Sequence, residues 1–202
     1  MRSMQHLGGV FYINLDRRAD RRREIEGELV SMGISGERFA GIAATPGIVG
    51  CGLSHLAVLR LARDRGLKNV LIFEDDFQFL VSKEQFWSHV GAFFERGIPY
   101  DVLMLSYNIQ ASQPIDDLIM RVEAADTASA YIVNACFYDS LIELYEEAMP
   151  LLVATGKHWI WANDQIWKRV QPTSRWFAFT SRSGRQRGSY SDNSLQYMDR
   201  GF

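Results

Sequence analysis

Three consecutive carboxylates, Glu74, Asp75 and Asp76, follow directly on the apolar run Val70 to Phe73. Acids held that close repel one another unless protons or a cation relieve the charge. A hard divalent ion, Mg²⁺ or Mn²⁺, with a phosphate-bearing ligand is the simplest relief. The rival reading is that the three acids cap a helix or face water. A second group is cationic: Arg17, Arg18, Arg21, Arg22 and Arg23 follow another apolar run, Val10 to Leu15. Guanidinium forks match phosphate oxygens, and the amino terminus of a helix presents N–H groups to anions. Arg17 and Arg21 are the better candidates, because Arg22 and Arg23 lie farther round the helix, where a solvated basic face serves equally well. A third group is aromatic, with three tryptophans spread over His158 to Trp167 around Asp164. Indoles beside an acid suit a sugar-binding floor, since C–H faces pack on the rings while hydroxyls bond the carboxylate. Indoles packed in a core are the rival, and composition alone favours it.

The elements that must position these groups alternate between strand and helix. Gly8 to Leu15 reads as a first strand, and Arg18 to Met32 as a helix with Ile25, Leu29 and Met32 on one face and Gly33 at its end. Arg38 to Ile42 makes a short strand, and residues 43–50 have the Gly and Pro content of a loop. A helix runs from Cys51 to Gly66 and places Ser54 and His55 in its first turn, where a histidine is most often solvated or locally hydrogen-bonded. Val70 to Phe73 is then a buried central strand, with the acids at its carboxyl edge, where ligands bind in open α/β sheets.

Phe86, Val90, Phe93 and Phe94 form the apolar stripe of a further helix, Asp101 to Ser106 a strand, and Ala128 to Asn134 another. Residues 109–127 show no clean period and read as an insertion or acceptor-side loop. A long helix runs to about Ala154, kinked or ended by Pro150. Arg175 to Ser181 is a last strand, and the Ser/Arg/Gly-rich tail from Arg182 reads as mobile.

The chain has 202 residues, 47% apolar and 23% charged, enough to bury one sizeable core, and one domain spanning 1–202 is expected. A formal net charge of −2 gives bulk electrostatics no reason to favour nucleic acid or an anionic membrane. Cys51 and Cys136 lack metal-ligand spacing and fit a reducing compartment, without excluding a disulfide. With no secretory apolar region and no run of membrane-spanning length, a cytoplasmic location is expected.

Several stretches in order resemble glycosyltransferase family 25, the group of lipopolysaccharide and collagen galactosyltransferases. They are Phe11-Tyr-Ile-Asn-Leu-Asp-Arg-Arg-Ala-Asp-Arg21, Gly47-Ile-Val-Gly-Cys-Gly-Leu-Ser-His55, Val70-Leu-Ile-Phe-Glu-Asp-Asp76, Ala128-Ser-Ala-Tyr-Ile-Val133 and the tail Arg-Gly-Ser-Tyr-Ser-Asp192. The resemblance spans nearly the whole chain, and its strength lies in the order and spacing of the set.

That resemblance implies a GT-A fold, a Rossmann-like α/β/α sandwich on a mostly parallel sheet. It implies transfer of a hexose, galactose or glucose, from a UDP-sugar to a glycan or other hydroxyl acceptor, with Mn²⁺ or Mg²⁺ and inversion at the anomeric carbon. It puts Asn14, Arg17 and Arg21 near the nucleotide, with Ser54 and His55 beside it. Asp76 becomes the principal metal ligand, supported by Asp75 or Glu74, and Asp192 closes over the donor. The match of Asn163-Asp164 to the family's acceptor-side segment is loose, and Asp164 is the candidate base for the acceptor proton.

Two alternatives remain from other classes. A metal-dependent phosphohydrolase or receiver-type domain also places acids at strand ends, but no lysine-bearing strand end with the required spacing is found. A non-catalytic nucleotide-sugar or glycan-binding module would keep the fold without turnover.

Overall fold

The computed structural model describes residues 4–191 and 196–198, the last three and residues 189 and 191 by backbone course alone, as is Tyr190. The first strand, β1 (Gly9–Asn14), leads into α1 (Ala19–Met32), which ends on Gly33 in the left-handed conformation at φ 68°. β2 (Glu37–Ala40), α2 (Gly47–Asp64) and β3 (Asn69–Glu74) follow. Next come β4 (Phe77–Phe79), α3 (Lys83–Glu95) and β5 (Val102–Met104). The chain continues through β6 (Asn108–Pro114), β7 (Ile119–Asp126), β8 (Ala130–Asn134) and α4 (Tyr138–Thr155). Two single-turn helices, α5 (His158–Trp161) and α6 (Asn163–Ile166), precede β9 (Trp176–Phe179) and β10 (Gly184–Gln186).

Eight of these strands form one sheet in the order β2-β1-β3-β8-β5-β9-β7-β6. β1 pairs in parallel with β2 and β3, and β5 with β9, while β8 runs against both β3 and β5 and β7 against both β9 and β6. Apart from β8 and β7, every strand of the sheet therefore points the same way, in a GT-A-like α/β arrangement. Alternation along the central strands builds a separate core on each face. Val70, Ile72, Val102, Met104, Tyr131 and Val133 pack with residues of α2 and α4. Leu71, Phe73, Leu103, Ala130 and Ile132 pack with residues of α1 and α3. A strand buried on both faces must be apolar throughout, which is why Val70 to Phe73 carries no polar residue. Truncating a side chain such as Phe73 here costs about 3–5 kcal/mol.

Four expectations need correction. The helix before β3 starts at Gly47, four residues ahead of Cys51, so Ser54 and His55 lie beyond its first turn. Gly50 is needed there because a Cβ would collide with the carbonyl oxygen of Ile42, whose segment packs on the helix. Residues 108–126 are a hairpin extending the sheet, with register shifts between Ile109 and Ser112 that hide the alternation. Pro150 neither ends nor interrupts α4, which continues to Thr155. Part of the tail read as mobile is a strand, β10, paired antiparallel with β4.

Candidate active site

The carboxyl ends of β1 and β3, the start of α2 with the segment before it, the β7–β8 connection, α5, α6 and the end of β10 enclose a cleft of about 670 Å³. Because β1 and β3 are parallel, Asn14 at the end of one stands near the acids at the end of the other. Asn14 Nδ2 donates to Asp75 Oδ2 at 2.7 Å. Arg21, on the first turns of α1, donates from one nitrogen to Asp75 Oδ1 and to Asp76 Oδ2, both at 3.1 Å. Arg21, a phosphate-binding candidate from the sequence, thus pairs with protein carboxylates: a guanidinium so close to two acids is held by their charge. Arg17 lines the cleft at its exposed rim. Arg22 and Arg23 are exposed, and Arg22 pairs with Glu26 one turn on, as a solvated face does.

The three acids have separate environments. Asp76 is pushed up to about 7 by burial and by the charge of Glu74, against the pull of Arg21. Its Oδ1 is buried with no hydrogen-bond partner among the described residues. Asp75 is raised by burial, opposed by Arg21 and Asn14. Glu74 is raised by burial and lowered by more than that through His55, Cys51 and Arg21, so its net shift is downward. Its Oε1 accepts from His55 Nε2 at 3.0 Å and from Cys51 Sγ at 3.4 Å, and its Oε2 from Gln186 Nε2 at 3.1 Å. Two oxygen-only donors, Asp75 and Asp76, with one buried lone-pair group unsatisfied, match what a hard divalent cation takes. Glu74 is engaged by nitrogen and sulfur donors instead.

His55 is fully buried rather than solvated, and its second nitrogen stands 2.7 Å from the Tyr131 hydroxyl. Ser54 also lines the cleft, but its hydroxyl donates to Gly50 O and accepts from Ile42 N, fastening the preceding segment to α2. Asp164 borders the cleft from the first turn of α6, whose N-cap position is Ala162. Its Oδ2 accepts from the backbone N–H of Thr127 at 3.2 Å, and Thr127 is the one described non-glycine residue with positive φ, at 81°. Burial raises the Asp164 carboxyl above its ordinary value.

The tryptophans divide. Trp167 is buried and donates to Ala125 O at 2.9 Å, Trp161 packs half-buried on the core, and Trp159 is 61% exposed on the cleft wall. Asp192 lies outside the described residues. Gln186 and Arg187, which sequence reading left in a tail, close one side of the cleft, where Arg187 N donates to Asp76 O at 2.6 Å. A three-residue strand with no apolar alternation gave no signal for them.

No protein-family model matches the chain. The Homo sapiens protein named inactive glycosyltransferase 25 family member 3 is 34% identical over 98 aligned residues, covering 35% of this chain and 16% of that protein. The Bos taurus protein named probable inactive glycosyltransferase 25 family member 3 is 30% identical over 128 residues, covering 48% of this chain and 21% of its own length. The resemblance to glycosyltransferase family 25 stands. The chain spans about a fifth or less of the length of these family 25 relatives. In fold it is similar to the crystal structure of A197 from STIV, with a TM-score of 0.54 at 12% identity, covering 94% of this chain and 92% of that one. Among the described residues no helix is long and apolar enough to cross a membrane.

Proposed function

We propose that the cleft transfers a hexose from a uridine diphosphate sugar to a hydroxyl of a glycan or similar acceptor, with inversion at the anomeric carbon. The observation that carries this reading is the pairing of Asp75 and Asp76, one with an unsatisfied buried oxygen, at the strand edge of a cleft that Arg17 and Arg21 also line. A hard divalent ion, Mn²⁺ or Mg²⁺, fits those two carboxylates, and when bound it supplies stabilisation for the charge that grows on a leaving diphosphate.

The chain's own residues do the rest. Asn14 and Arg21 fix the orientation of Asp75, and Arg21 that of Asp76. Arg17 offers a guanidinium to a phosphate at the rim. On the acceptor side Asp164 takes the hydroxyl proton as the new bond to the sugar C1 forms and the bond from C1 to the phosphate oxygen breaks. Burial raises its carboxyl, which makes it a stronger base than a free aspartate. Trp159 presents an indole face to a sugar ring from the same wall.

A second reading, donor binding without turnover, is favoured by the names of the two family 25 relatives, both designated inactive. Incubation of the full chain with UDP-hexoses, Mn²⁺ and an oligosaccharide mixture separates them. Release of UDP with a glycosylated product supports transfer. Binding without UDP release in any pairing supports the module.

A further inference from the structure

The floor of the cleft holds a second group of donors that the transfer reaction leaves unused. Cys51 and His55 are four residues apart on α2 and share one face of that helix, while Glu74 reaches them from the end of β3. The Cys51 Sγ, the His55 Nε2 and a Glu74 oxygen all lie within 4.8 Å of one another. Sγ is 3.4 Å and Nε2 3.0 Å from the same oxygen, Oε1. The ligand atoms of a tetrahedral zinc site, with bonds of about 2.0–2.3 Å, stand roughly 3.3–3.6 Å apart, so little movement would be needed to receive an ion. All three residues line the cleft, which gives an ion a path in.

We propose that Cys51, His55 and Glu74 form a binding site for a divalent cation of the Zn²⁺ class, separate from the Asp75 and Asp76 pair. Thiolate and imidazole select a softer metal than carboxylates do, so the two sites sort ions by chemistry. The protons balance. The thiol proton of Cys51 leaves to solvent, and the single ring proton of His55, which Nε2 gives to Glu74 when no ion is bound, moves to Nδ1, where the Tyr131 hydroxyl oxygen at 2.7 Å accepts it. Tyr131 is the outer partner that fixes the imidazole. Glu74 keeps Oε2 for Gln186. The site stands whatever reaction the cleft performs.

Cobalt(II) titration of the metal-free full chain tests this, in a Cys136→Ser background that removes the other thiol. The expected result is one equivalent with a near-ultraviolet thiolate-to-cobalt charge-transfer band, bleached by Zn²⁺. Cys51→Ser should abolish the band and weaken Zn²⁺ binding by more than the roughly 100-fold that loss of an outer partner costs. Asp76→Asn should leave both unchanged. A further readout needs no variant in the site: Zn²⁺ should protect Cys51 from alkylation, located by peptide mass. No band in the parent, a band that survives Cys51→Ser, one lost in Asp76→Asn, or alkylation of Cys51 at the same rate with Zn²⁺ would each overturn the site.

Discussion

Arg21 Nη1 stands 3.1 Å from Asp76 Oδ2 and holds Asp75 from the same nitrogen. One guanidinium thus occupies the electrostatic place of a cation between two buried carboxylates. Arg21→Ala should leave those acids uncompensated and cost about 3 kcal/mol at pH 8, as removal of one partner from a buried ion pair does. Thermal melts with and without Mn²⁺ check this, and the ion should restore more stability to the variant than it adds to the parent. Equal gains in both would separate the ion from these acids.

Arg17→Ala is the contrasting change. Arg17 is exposed at the rim of the cleft. Its loss should move the melting temperature little and weaken UDP binding about tenfold or more, the effect of one charge-assisted phosphate contact. Calorimetry decides it, and unchanged UDP affinity would place the nucleotide elsewhere.

For Asp164 the structural alternative is a latch on the Thr127 backbone. Asp164→Asn keeps an oxygen that accepts the Thr127 N–H but cannot take an acceptor proton. Transfer should fall by about 10²–10⁴ while UDP affinity and melting temperature stay near the parent values. Retained transfer would leave Asp164 as the latch alone.

The ion pair of buried Asp101 with exposed Arg175, at the far end of the sheet, gives a pH-dependent test of stability. Asp101 Oδ2 accepts from Arg175 N at 2.7 Å, and its carboxylate pairs with the Arg175 guanidinium. Burial raises this carboxyl, but the bonds to Arg175 more than offset that and hold it below the ordinary value. The unfolded chain therefore takes up the proton first as pH drops. The contribution is complete above the unfolded carboxylate range and is lost as pH falls through the folded value. Asp101→Asn should cost about 1–3 kcal/mol near neutral pH, with the difference from the parent closing in acid. A gap that does not narrow there would mean the charge is not what the pair contributes.

Much of this was readable from residue types. The strand Val70 to Phe73 stands out because burial on both faces forbids polar residues, and its acids inherit their location from it. The first turns of α2 were hidden because Pro46, Gly47 and Gly50 look like loop, while Gly50 serves a close approach of the Ile42 backbone. The hairpin of β6 and β7 was hidden because Ile119, Val122 and Ala125 are buried at every third residue, not every second. Arg21 was found as a candidate, but its carboxylate partners lie 54 and 55 residues away, and no local spacing encodes that pairing. Gln186 and Arg187 come to the site only because β10 pairs with β4.

The most direct measurement is the thermal shift of the full chain with UDP, with Mn²⁺ and with both, repeated in Asp76→Asn. If the acids bind the ion that bridges the diphosphate, UDP and Mn²⁺ together should stabilise the parent by more than the sum of their separate effects. That excess should vanish in Asp76→Asn, whose own melting temperature stays near or above that of the parent because a buried charge has been removed. Merely additive effects of UDP and Mn²⁺ in the parent, or an undiminished excess in Asp76→Asn, would contradict the assignment of Asp75 and Asp76 as the metal-binding pair of a nucleotide-sugar site.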